Sequence, residues 1–73
     1  YRFNIHSWLA DGSEDVFLFP ADKLPVSDAK IALWNVTDGV EITAGFVAND
    51  ANIDFTSAPS DGDLIMALYE YLD

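Results

Sequence analysis

The sequence predicts an all-β fold, a small antiparallel β-sandwich of about six strands. Three observations predict it. Apolar and polar side chains alternate with a period of two along most of the apolar stretches. Turn signals rich in Asp, Asn, Gly and Pro recur roughly every 8 to 12 residues, the spacing of short strands in sandwiches and barrels. Helical periodicity is weak everywhere and surfaces only near the C-terminal end, where Leu64, Leu68 and Leu72 recur at every fourth position.

The opening stretch YRFNIHSWL places Tyr1, Phe3 and Ile5 on one side of a strand and His6 and Trp8 on the other. ADGSED follows as a turn, its Asp-Gly pair accommodating a positive φ at little steric cost. DVFLF is β-branched and aromatic, and Pro20 ends it by withholding a backbone donor. PADKLPVSD reads as a loop crossing between sheets, with Pro25 opposing anything longer than a helical turn. AKIALWNV and VEITAGFV flank TDG, and Asp38-Gly39 between alternating apolar runs is a strong hairpin signal. ANDAN is a further turn. IDFTS and LIMALYEYL then flank APSDGD, which is expected to reverse the chain so that the two strands lie side by side.

That last segment can be read as helix or strand. Ile65, Ala67, Tyr69 and Tyr71 alternate cleanly with Leu64, Met66 and Leu68, which favours a strand with two apolar faces. A sandwich strand normally turns a polar face to water. If Ile65, Ala67 and Tyr69 fill the core, then Leu64, Met66 and Leu68 are left over. They are covered either by the loop at 20–28 or by a neighbouring subunit or domain, since contiguous apolar surface marks interfaces. Trp34, beside Ile31 and Leu33, raises the same choice. Trp34, Leu64, Met66 and Leu68 are therefore the candidate contact residues.

A chain of 73 residues is one domain, residues 1–73, near the lower size limit for a hydrophobic core. Ten aromatic residues, each burying roughly 150–250 Å², make such a core feasible and oppose disorder despite the charge. Thirteen acidic against three basic side chains give a net charge of −10. Nucleic acid and anionic membrane surfaces are disfavoured as partners, because both are bound through Lys and Arg. A basic partner, divalent cations or a salty medium is compatible with that charge. No apolar run approaches the ~18 residues of a membrane span, and no signal peptide is visible. With Tyr in first place rather than Met, the expectation is a processed or excised chain, or the ordered part of a longer one.

Chemistry is poorly represented. No cysteine is present, which removes disulfides and thiolate metal ligation. His6 is the sole histidine, and a Ser-His-Asp arrangement would have to join it to Ser7, Ser13, Ser27, Ser57 or Ser60. The four glycines are isolated, so no phosphate-cradling loop forms. An enzyme is not expected, nor a cofactor. Asp50, Asn52 and Asp54 have the alternate spacing that opens a calcium loop, but Phe55 stands where that loop needs Gly and no Glu closes it. Turn formation by Asn and Asp is the simpler reading there. Asp61 and Asp63 make a shorter pair. NVT at 35–37 matches a glycosylation acceptor on the way into a turn.

Taken in order, YRFNIHSWLADGSEDVFLFP, KIALWNVTDGVEI and IDFTSAPSDGDLIMALYEY resemble a small β-sandwich module of bacteriophage tail fibres, tailspikes and related virion appendages. Ile53, Phe55, Thr56, Ala58, Pro59, Gly62, Asp63, Ile65 and Tyr69 carry the similarity most fully. Ile31, Leu33, Asp38 and Gly39 carry it in the hairpin, and Phe17, Phe19 and Pro20 in the earlier strand. The resemblance implies a structural role in the virion, anchoring, spacing or decorating a fibre alongside other virion proteins, usually as a homo-oligomeric trimer. It implies neither catalysis nor a cofactor. The alternatives are a capsid decoration protein or a carbohydrate- or receptor-binding module, in which Trp8, Trp34, Tyr69 and Tyr71 would stack on a glycan.

Overall fold

A computed structural model describes residues 2–26 and 31–71. Alternating or β-branched apolar segments become strands β1 (Arg2–Leu9), β2 (Val16–Leu18), β3 (Ala32–Asn35), β4 (Val40–Ile42), β5 (Phe46–Ala48), β6 (Asn52–Phe55) and β7 (Leu64–Tyr71). All pairings are antiparallel. One sheet has the order β1-β7-β3-β4 and the other β2-β6-β5. The all-β expectation holds, and Leu64–Tyr71 is strand rather than helix.

Two local expectations change. VEITAGFV is two strands, not one, which raises the count from about six to seven among the described residues. Gly45 adopts φ +84°, outside the extended region, so the chain bends after β4 and enters the other sheet as β5. A Cβ at Gly45 would touch nothing within 4 Å, so backbone strain is the only penalty there. Gly45→Ala is expected to cost about 1–2 kcal/mol, a fall of roughly 5–15 °C in the thermal midpoint of a domain this size. An unchanged midpoint in a melting experiment would contradict that reading.

The second change concerns APSDGD. It does not set IDFTS and LIMALYEY side by side. It carries the chain from β6 in the three-stranded sheet to β7 in the four-stranded one. There β7 is an interior strand, paired with β1 on one side and β3 on the other, and not a sandwich edge. The Asp38-Gly39 hairpin forms as expected, joining Asn35 to Val40 with Gly39 at φ +72°. ANDAN closes the β5–β6 hairpin, where Asn49 N–H donates to Asn52 C=O at 2.8 Å.

The core lies between the sheets. Phe17, Phe19, Ile53 and Phe55 from one side meet Leu33, Ile65, Ala67 and Tyr69 from the other, all buried. Trp8 ties the layers together. Its ring packs against Phe17 and Phe19 at centroid distances of 5.6 and 5.4 Å, and its Nε1–H donates to Leu18 C=O at 2.9 Å. The buried Tyr69 hydroxyl donates to Lys23 C=O at 2.6 Å and accepts from Asn4 Nδ2 at 3.0 Å. That pins the loop after β2 to the centre of the other sheet, making it the inter-sheet crossing expected from PADKLPVSD.

Candidate interaction surface

Directly opposed residues of an antiparallel ladder share a face, so the register lays out the outer surface of the four-stranded sheet row by row. Ile5, Leu68 and Ala32 make one row, and Ser7, Met66, Trp34 and Glu41 the next. Leu9 stands beside Leu64, whose carbonyl accepts from Val36 N–H at 2.8 Å, and Phe3 stands beside Glu70. The four candidate contact residues thus share one face, and β1 enlarges it. Phe3, Ile5 and Leu9 are 69, 61 and 73% exposed, while Trp34, Leu64, Met66 and Leu68 are half-buried.

Phe3, Ile5 and Leu9 were not singled out as contact residues from sequence. The available signal was their alternation with Asn4, His6 and Trp8, which separates two faces without saying which is outer. The register with β7 decides it. Trp8 lies opposite Ile65 and Asn4 opposite Tyr69, so this even-numbered set faces the core.

The loop at 20–28 was one proposed cover for Leu64, Met66 and Leu68. In its described part, Pro25 bridges to Tyr71 and Val26 N–H donates to Glu70 C=O at 3.0 Å. These contacts lie beside the end of β7, at Glu70 and Tyr71. Residues 27 and 28 lie outside the described residues.

Charge is distributed to match. The outer face of β1, β7 and β3 carries a single carboxylate, Glu70, at one end, and Glu41 adds another from the edge strand β4. By contrast Asp11, Glu14, Asp15, Asp38, Asp61 and Asp63 all sit in the connections at the end where β1 and β3 finish and β7 starts. Asp11 organises its turn there. Its Oδ1 accepts from the backbone N–H of Ser13 and Glu14 at 2.9 and 2.8 Å, and from Ser13 Oγ at 3.3 Å. These donors, Ser13 N–H foremost, hold the Asp11 carboxyl below its ordinary value of 3.8. A lowered folded pKa stabilises above the unfolded value, and that contribution is lost as pH falls through the folded one. An NMR titration should therefore give Asp11 a lower midpoint than an unstructured Asp. The stability difference between the native chain and Asp11→Ala should vanish below that midpoint.

The remaining sequence candidates do not form sites. Asn52 and Asp54 project from β6 opposite Leu18 and Val16, and Asp50 lies in the hairpin turn. Asn52 Oδ1 already accepts from Asn49 Nδ2 at 2.9 Å, the turn-forming role rather than a ligand set. No cluster of three potential metal ligands exists among the described residues. The glycan platform is corrected outright: Trp8 and the buried Tyr69 face the core, as does Tyr71, whereas Trp34 faces outward. His6 stacks edge-on against Trp8 at 4.9 Å. Asn35 of the NVT triplet donates through Nδ2 to Asp63 Oδ2 at 2.9 Å and accepts from Asp38 N–H at 3.1 Å.

One open cleft of about 430 Å³ lies where the chain switches sheets, between Ile42, Ala44, Gly45, Phe55, Ser57 and Ile65. Its lining holds neither a carboxylate nor a histidine, so it offers no pair of groups for proton transfer. Comparison with protein-family models, curated proteins and solved structures yields no match for this chain.

Proposed function

We propose that this domain is a structural interaction module of a virus particle, part of a fibre or other outer appendage. It assembles with copies of itself, a trimer being favoured, and with neighbouring virion proteins. The placement on a virion rests on the sequence resemblance described above. The interaction role rests on one observation: in a chain of net charge −10, the outer face of the β1-β7-β3 layer is apolar, with Phe3, Ile5 and Leu9 exposed among the described residues. A solvated sheet face alternates polar residues outward, and this one does not. Trp34, Leu64, Met66 and Leu68 form its middle, and Phe3, Ile5 and Leu9 its flank.

Sedimentation equilibrium at low and high salt tests this. Repulsion between copies is long-ranged at 0.01 M salt, where the screening length is about 30 Å, and short-ranged at 1 M, where it is about 3 Å. Apolar association opposed by like charge should strengthen with salt, giving a trimer whose population rises across that range. A monomer at both salt concentrations overturns the proposal.

A further inference from the structure

The backbone of β1 carries a second surface, independent of that face. On β7 the Leu64 carbonyl points toward β3, since it accepts from Val36 N–H. Ladder groups alternate sides along a strand, so Ile65, Ala67 and Tyr69 bond toward β1. Their partners Trp8, His6 and Asn4 have their backbone groups engaged there. Ala10 fits the same phase, its N–H donating to Asp63 C=O at 2.8 Å. The N–H and C=O groups of Phe3, Ile5, Ser7 and Leu9 are consequently directed to the open side of β1. Among the described residues, β7 is the only strand that β1 pairs with.

Edge strands are usually kept from pairing by brevity, bulges, proline or charge. The other three edges are short: β2, β4 and β5 have three residues each, and β4 carries Glu41. β1 has eight residues in unbroken register with β7 and lacks proline, lysine and any carboxylate. In so acidic a chain, β1 is the one long edge among the described residues, and two copies meet along it without opposing carboxylates.

We propose that β1 pairs antiparallel with β1 of a second copy about a twofold axis at His6. That register sets Phe3 against the second copy's Leu9, and Ile5 against its Ser7. All four outward residues then exchange backbone bonds with one another, inside the described length of β1. Arg2 comes opposite Ala10 of the second copy, next to its Asp11, so the charges across the axis are complementary. The two four-stranded sheets become continuous, and their apolar outer faces join.

Amide exchange followed by NMR from dilute solution to about 1 mM tests the pairing on the native chain. The amides of Asn4, His6 and Trp8 should be protected at every concentration. Those of Phe3, Ile5, Ser7 and Leu9 should slow by about tenfold or more as concentration rises. Ser7→Pro removes an outward donor without breaking a bond to β7, and should abolish the slowing while circular dichroism stays native. Met66→Ser with Leu68→Ser should leave the slowing in place, so failure of the face and failure of the edge are read separately. A chain that stays monomeric, or associates while those four amides exchange fast, overturns the proposal.

Discussion

Tyr69→Phe is expected to lower the thermal unfolding midpoint by roughly 5–20 °C, although it deletes one oxygen. Tyr69 is fully buried on β7, and its hydroxyl joins three chain segments. It donates to Lys23 C=O at 2.6 Å and accepts from Asn4 Nδ2 at 3.0 Å. Phe keeps the ring packing against Phe19 at 4.7 Å but leaves both partners unmatched. An unmatched buried polar group costs about 1–3 kcal/mol. A domain of this length has about 4–11 kcal/mol of stability in all, so the fraction lost is large. Because the Lys23 bond pins the loop after β2, amide protection around Lys23 should fall more than protection in β4. Calorimetry and amide exchange check the two parts. A midpoint within a degree or two of the native chain would mean that the hydroxyl is replaceable by water.

The second large effect concerns assembly. Met66→Ser combined with Leu68→Ser is expected to abolish association through the sheet face while leaving the domain folded. Both side chains stand on the outer face of an interior strand, flanked by Trp34 and Ser7 in one row and by Ala32 and Ile5 in the next. Neither belongs to the buried core. The change in strand preference amounts to about 1 kcal/mol or less per site, which the domain tolerates. At the centre of an interface, losing such anchors costs about 2 kcal/mol or more, a weakening of at least ~30-fold. Sedimentation should then show no trimer at concentrations where the native chain forms one, and at most the β1-paired dimer, with an unchanged circular dichroism spectrum. Assembly equal to the native chain's would sink the face as the contact.

The same strand shows how far the sequence could be read. The alternation in LIMALYEY assigned Ile65, Ala67 and Tyr69 to the core and Leu64, Met66 and Leu68 to the opposite face, and the structure places them so. The surplus apolar face was legible because every position of β7 through Tyr69 is apolar, leaving no polar set to turn outward. In β1 the alternation was equally plain, yet it did not identify the inner side. Hydropathy alone would send Phe3 and Ile5 inward. The fold turns Asn4 and Trp8 inward instead, where each finds a hydrogen-bond partner.

What the sequence determined by itself is local: extended segments, the positions of turns, the Asp38-Gly39 hairpin, and the division of each strand into two faces. Those follow from φ/ψ preference and the two-residue period, which act over a few neighbouring residues. Only the tertiary structure decided that VEITAGFV divides at Gly45 between two sheets, and that the connection after β6 crosses to the other layer. It also decided that Phe3, Ile5 and Leu9 join the outer face. A turn's chemistry is the same whether the next strand pairs beside the last or packs across from it. Which of these happens is set by long-range pairing, here the insertion of β7 between β1 and β3.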